Sequence, residues 1–128
     1  RLVNEEWKVF VTNRRHGRIT ELVRGGWIAD WADPGNFLGN FHSESPLNYA
    51  FFDDPEFDEL LGRARQAGGE TRMELLWRAE QRLLGEHAII PLYYYVSRHL
   101  VAPRLSGYED NPMDIHLSRW LRLDDPDH

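Results

Sequence analysis

The chain has 128 residues, 41% of them hydrophobic and 28% charged, a composition typical of one small globular domain or of a piece of a larger one. Its formal net charge of −6 makes nucleic acids and anionic membrane surfaces poor partners, because both bind a surplus of Lys and Arg. Without any cysteine, the chain has no disulfides, thiolate metal ligands or cysteine nucleophiles.

The first predicted elements are a helix and a strand. Asn4 is a good cap for the helix, and Gly17 suits the left-handed residue that ends it. The apolar face of this helix consists of Trp7, Phe10 and Val11. Apolar and β-branched residues then predict a strand over residues 18–27, which Gly25 and Gly26 end.

Two Asp-Pro pairs predict helix starts in the middle of the chain. Asp33-Pro34 predicts a short helix over residues 34–38, and Asp54-Pro55 predicts a longer one. The predicted buried face of the longer helix consists of Phe57, Leu60, Leu61 and Ala64.

The last third of the chain combines a long helix with extended segments. Thr71 is predicted to cap a helix that continues to about Gly85. Residues 88–103 form a nearly continuous apolar and aromatic run, which predicts a strand buried on both faces. A short strand is predicted near residues 120–123.

This order of helices and strands indicates an α/β fold in which helices are layered on an incomplete mixed sheet. A first strand cut short and a single long later strand suggest a piece of a larger protein. Because a severed sheet exposes strand edges, we expect the chain by itself to self-associate.

The candidate binding residues begin in the stretch "RGGWIADWADPG". Asp30 follows the end of the first predicted strand, between Trp27 and Trp31, and ligands of open α/β sheets bind at such ends. Its carboxylate can accept a charge-assisted hydrogen bond from a ligand ammonium group. In the alternative interpretation, Asp30 or Asp33 caps the next helix and both tryptophans belong to the core.

Other candidates have equally open interpretations. Arg24 can pair with a ligand carboxylate or remain a surface charge. Trp7 fits the core by its helical spacing. On a strand, Tyr93 and Tyr95 share one face and Tyr94 takes the other, so the rings can line a wet pocket or belong to two core faces.

Signals for enzymatic activity are weak. Asp30 and Asp33 can be posed as a carboxylate pair for hydrolysis, but spacing alone is little support. His42, Ser43 and Glu44 are sequence neighbours and cannot form a triad by adjacency. The six histidines show no metal-ligand spacing. We therefore predict no catalytic residue, no metal and no cofactor.

Five stretches in order resemble the carboxyl-terminal part of periplasmic oligopeptide-binding proteins, the solute receptors of peptide ABC importers (extracellular solute-binding family 5). They are "EEWKVF", "RGGWIADWADPGNFL", "FDELL", "RAEQRLL" and "IIPLYYYVSRHLVAP". The resemblance implies a bilobal, periplasmic-binding-protein type II-like fold, with about 1–95 in the second large lobe and about 96–128 returning toward the first. It also implies capture of oligopeptides in the periplasm, or by a lipid-anchored receptor in a single-membrane bacterium, for delivery to a membrane permease.

The resemblance further implies roles for five residues. Asp30, in the Gly-Trp-x-Ala-Asp stretch, would form a salt bridge with the peptide α-ammonium group, and Arg24 would meet the peptide carboxylate. Trp27 and Trp7 would line side-chain pockets, and Tyr95 is the choice from the tyrosine run.

One departure from the family pattern leaves the specificity of the receptor open. Ile28 stands where close relatives of this type carry a cysteine of a disulfide. A receptor of the same fold for a nickel chelate, haem or a sugar therefore remains an alternative. So do a carboxylate-dependent hydrolase and a purely structural module with a solid interior around Trp27.

Overall fold

The computed structural model of the protein describes residues 3–19 and 21–124. The helices are α1 (Trp7–Arg15), α2 (Pro34–Leu38), α3 (Pro55–Gln66) and α4 (Gly69–Gly85), with 3₁₀ turns at Gly39–Phe41 and Ser118–Trp120. The strands are β1 (Leu105–Ser106) and β2 (Arg122–Leu123). No helix in the described part of the chain combines the length and the apolar character needed to cross a membrane.

The core lies between α3 and α4. Asp54 caps α3 as predicted, and one of its carboxylate oxygens accepts hydrogen bonds from the amides of Glu56 and Phe57, each at 3.0 Å. The predicted buried face of α3 is confirmed, since all four of its residues are buried. The buried apolar residues of the core are Leu38, Phe57, Leu60, Leu61, Ala64, Leu75, Leu76, Ala79 and Leu83.

Helix α2 packs against this core and is also bound to α4 by an ion pair. Its bounds are those predicted, and Asp33 caps it by accepting a 2.7 Å hydrogen bond from the amide of Gly35. Leu38 joins the α3–α4 core. Arg72 of α4 donates to both carboxylate oxygens of Asp33, at 2.8 and 2.7 Å. The segment that precedes α2 is therefore held at a defined place beside α4.

The predicted start of α1 is wrong. Glu6 is the cap, and its carboxylate accepts from the amides of Lys8 and Val9 at 2.9 and 3.1 Å. A longer acidic side chain two residues beyond Asn4 reaches these amides and shortens the helix. The predicted left-handed end is confirmed, because Gly17 has φ 61°.

The predicted start of α4 is also wrong. The cap position is Gly68, and its side chain supplies no capping hydrogen bond. Gly69 has φ 54°, a left-handed value that glycine adopts without steric cost. Thr71 therefore lies inside the first turn of α4 rather than at its cap.

The two long predicted strands form no ladder among the described residues. The sheet found there is a two-residue antiparallel pair, with Leu105 opposite Leu123 and Ser106 opposite Arg122. The predicted burial of residues 88–103 on both faces is wrong for this chain, because residues 90–100 are all exposed. A strand needs neighbours at its edges and faces, and the described residues do not supply them there. The short strand predicted near residues 120–123 is confirmed only at its last two positions.

Candidate ligand-binding site

Trp27 and Asp30 are brought together by a side chain that the sequence analysis missed, the buried Asn36 of α2. The Oδ1 atom of Asn36 accepts from the indole Nε1 of Trp27 at 3.1 Å and from the backbone amide of Asp30 at 3.0 Å. One amide oxygen thus fixes the Trp-x-x-Asp turn against α2. The only sequence signal for this role was that Asn36 is a polar residue in the first turn of the predicted helix. That position does not predict where the side-chain amide of Asn36 points.

The carboxylate of Asp30 remains available at the surface. Within the described part of the chain, its hydrogen bond is a long one of 3.5 Å, donated by the amide nitrogen of Asn36. Asp30 is an exposed residue. Its oxygens can therefore accept further hydrogen bonds from a cationic group.

Asp33 has a different environment. Arg72 occupies both carboxylate oxygens, and the amide of Gly35 donates to one of them. The hydrogen bonds from Arg72 hold the pKa of Asp33 below its ordinary value. The prediction that Asp33 serves as a helix start is confirmed. An acid that is bound and ionised in this way is a poor partner for Asp30 in general acid–base chemistry.

Arg24 and Tyr95 form a second cluster with Tyr93. The Nη2 atom of Arg24 donates to the hydroxyl of Tyr93 at 3.1 Å and to that of Tyr95 at 2.9 Å. The two rings lie on the same side of the chain, with centroids 5.2 Å apart and planes at 70°. Hydrogen bonds from Tyr95 and then Arg24 lower the pKa of Tyr93, and Tyr93 in turn raises the pKa of Arg24.

A glycine allows the two segments of this second cluster to approach each other. A Cβ atom on Gly26 would lie 3.1 Å from the ring of Tyr95, closer than ordinary packing permits. A Cβ atom on Gly25 would lie 3.9 Å from Nη1 of Arg14 in α1, and Arg14 also lies over the ring of Tyr49, 4.2 Å from its centroid. The two glycines before Trp27 therefore lie close to Tyr95 and to the Arg14 side chain of α1.

Trp7 lies apart from both clusters in its described contacts. It is 68% exposed, and its aromatic neighbour among the described residues is Phe10, with ring centroids 5.7 Å apart. The prediction of Trp7 as a core residue is wrong, since α1 contains no buried residue. Trp27 is 38% exposed, so the described residues do not enclose it.

Comparisons with known proteins identify the relatives of the chain. The periplasmic oligopeptide-binding protein OppA of Escherichia coli strain K12 is 38% identical over 125 residues, which are 96% of this chain and 23% of that protein. Over these residues this chain is similar to a segment of that peptide-binding protein. No protein-family model matches it.

Parts of two solved structures of peptide-binding proteins have a backbone fold similar to that of this chain. The complex of Haemophilus influenzae OppA with RPPGFSPFR gives a TM-score of 0.82 at 33% identity, over 98% of this chain and 25% of that one. The unliganded open form of MppA, a periplasmic murein tripeptide binding protein, gives 0.80 at 30% identity, over 100% and 25%. The predicted resemblance and fold class are confirmed, and the chain spans about a quarter of the length of these relatives.

Proposed function

We propose that this chain is the carboxyl-terminal part of the substrate-binding component of an ABC importer. The component captures oligopeptides in the periplasm and delivers them to a membrane permease without chemical change. The observation that carries the proposal is the exposed Asp30, whose backbone amide shares the Oδ1 acceptor of Asn36 with the indole of Trp27, in a chain similar to peptide-binding proteins.

The arrangement suits the parts that all peptides share. A peptide presents an α-ammonium group whatever its sequence, and a carboxylate acceptor binds that group by a charge-assisted hydrogen bond. An aromatic wall beside it contacts side chains without selecting one of them. In our proposal Asp30 binds the amino terminus, and Trp27 and Trp7 line adjoining side-chain pockets.

Arg24 is proposed to bind the peptide carboxylate. Both tyrosine hydroxyls accept from its Nη2 atom, which orients the planar guanidinium group before any ligand arrives. A pre-oriented guanidinium loses less side-chain entropy on binding a carboxylate than a mobile one does. Tyr95 therefore acts in the proposal mainly by positioning Arg24.

The domain arrangement belongs to the same proposal. Residues from 1 to about 95 form the latter part of the second large lobe, and residues from about 96 to 128 return toward the first. Closure of two lobes over a ligand is a common transition of periplasmic binding proteins. We accordingly propose that the ligand is enclosed between surfaces of this chain and surfaces elsewhere in the receptor.

The test is titration calorimetry on the intact receptor with a tripeptide and with its N-acetylated twin. We expect the free amino terminus to improve affinity at least about tenfold, since a hydrogen bond between charged groups contributes about 1.5–3 kcal/mol. In Asp30→Asn this advantage should disappear. Asp53→Asn, a change at another exposed aspartate, should preserve it.

Two results would contradict the proposal. Equal wild-type affinity for the two peptides would remove the role of Asp30. Mass spectrometry would detect cleavage of the peptide. Cleavage by the wild-type receptor that is lost in Asp30→Asn would instead support the hydrolase alternative.

A further inference from the structure

Near the end of the described chain, His99 meets Asp114 and His116, which lie 15 or more residues further along the sequence. The Nε2 atoms of His99 and His116 lie 2.7 and 2.9 Å from the same carboxylate oxygen, Oδ1 of Asp114. One potential ligand atom from each residue lies within 4.8 Å of the other two. None of these residues belongs to the proposed peptide site.

The backbone holds the aspartate in an unusual conformation. Asp114 has φ 53°, a left-handed value that is uncommon for residues other than glycine. Asn111 braces the turn, because its side chain accepts from the amide of Ile115 at 3.1 Å and donates to the carbonyl of Ile115 at 3.0 Å. The amide of Asp114 also donates to the carbonyl of Asn111 at 3.0 Å. Strain held in place by its surroundings is common at functional sites.

An aromatic side chain orients one of the two imidazoles. The ring of Tyr108 stacks on that of His116, with centroids 4.1 Å apart and planes at 17°. The hydroxyl of Tyr108 is buried and has no hydrogen-bond partner among the described residues. Tyr108, His99 and Ser97 are among the residues that line a cavity of about 300 Å³. This cavity provides space for water molecules beside the cluster.

We propose that His99, Asp114 and His116 form a binding site for a divalent transition-metal ion. Imidazole nitrogen together with carboxylate oxygen is a ligand set that Zn²⁺, Cu²⁺, Ni²⁺ and Fe²⁺ accept, whereas Mg²⁺ and Ca²⁺ prefer oxygen ligands alone. Three protein ligands leave at least one coordination position for water, and the cavity lies beside one of them, His99.

The ligand atoms of the three residues, which all lie within 4.8 Å of one another, would have to shift to bind a metal ion. Ligand atoms about 2.1 Å from a tetrahedral Zn²⁺ lie about 3.4 Å from one another. The observed separations of 2.7 and 2.9 Å would widen by less than one ångström as the ion replaces the two hydrogen bonds. Each imidazole would then bind through an unprotonated Nε2 atom, which is the form in which histidine ligates metals.

The experiment is calorimetric titration of the intact, chelator-treated protein with ZnCl₂ and, separately, with MgCl₂. We expect one Zn²⁺ per chain and no measurable Mg²⁺ binding. His99→Gln and His116→Gln should each weaken Zn²⁺ binding at least about tenfold. His16→Gln, a change at an exposed histidine outside the cluster, should leave the Zn²⁺ affinity unchanged.

Circular dichroism checks that each variant is folded. The absorption bands of bound Co²⁺ give a second measurement of metal binding. Asp114→Asn retains the size of the side chain and should weaken Zn²⁺ binding as well. Zn²⁺ affinity that is unchanged in all three cluster variants, or absent from the wild-type protein, would overturn the proposal and leave the trio as a hydrogen-bonded cluster. The peptide titrations are independent of this outcome, since they use none of these residues.

Discussion

At the scale of single residues, Asp30 and Asp33 show how position determines the role of a carboxylate. The two acids are three residues apart, yet Arg72 and the start of α2 occupy Asp33 while Asp30 stays exposed. Sequence analysis placed the helix start at Asp33-Pro34 and the ligand contact at Asp30, but kept open the alternative that Asp30 is a cap. The tertiary contact with Arg72, 39 residues along the chain, separates them.

Asn36 gives a prediction at the same scale. Asn36→Ala removes the acceptor shared by the Trp27 indole and the Asp30 amide, and leaves two donors without their partner. We expect a loss of about 1–3 kcal/mol in the free energy of unfolding, measured by urea denaturation, and weaker peptide binding.

The matched control is Asn40→Ala, at a residue whose side chain forms no hydrogen bond within the described part of the chain. It should change stability by less than about 0.5 kcal/mol. An Asn36→Ala protein as stable as this control would show that the bridge to Trp27 and Asp30 contributes nothing.

At the scale of elements, the predictions succeeded where local chemistry leaves one choice. An Asp-Pro pair sets the cap and the first helical residue at once, so α2 and α3 begin where predicted. Helix starts were wrong where several capping residues compete, as with Asn4 and Glu6 before α1. Strand prediction had a different difficulty, since a ladder depends on a partner strand that local sequence cannot supply.

The start of α3 gives a prediction about pH. Arg82 donates to Asp54 at 2.6 Å, and this hydrogen bond is the largest cause that lowers the pKa of Asp54 from its ordinary 3.8. The folded state therefore prefers the ionised acid. Its stabilisation is complete above the unfolded pKa and is lost as the pH falls below about 3.8 through the lower folded pKa.

Asp54→Asn keeps a side-chain oxygen for the helix amides and removes the charge that faces Arg82. At pH 7 we expect a loss of about 1.5–3 kcal/mol in the free energy of unfolding, and the difference from wild type should shrink in the acid range. Denaturant titrations between pH 7 and pH 2 test this, with Asp53→Asn as the control. A constant difference across that range would contradict the assignment.

At the scale of the whole molecule, the core is small and the apolar run over residues 90–100 is exposed. Tyr94 is 96% exposed, and Leu92 and Val96 on the same side of an extended chain are 76% and 75% exposed. Contiguous apolar surface of this kind marks an interaction surface. In our proposal other parts of the receptor cover it.

The chain expressed by itself is therefore expected to self-associate through this run. Light scattering after size exclusion should show a mass that rises with protein concentration, and Leu92→Lys together with Tyr94→Lys should restore the monomer. Glu80→Lys, a charge change at an exposed position of α4, serves as the control. A concentration-independent monomer in the wild-type chain would refute the prediction.

The sequence by itself determined the local features: the apolar face of α3, the Asp-Pro helix starts and the motifs that resemble peptide receptors. Their causes act over a few residues, through helical period, capping and restricted φ angles. Only the tertiary structure decided which distant polar groups meet, as Arg24 does with Tyr95 71 residues away and His99 with Asp114. Those contacts depend on how packed helices and turns orient each side chain, and no local pattern encodes that direction.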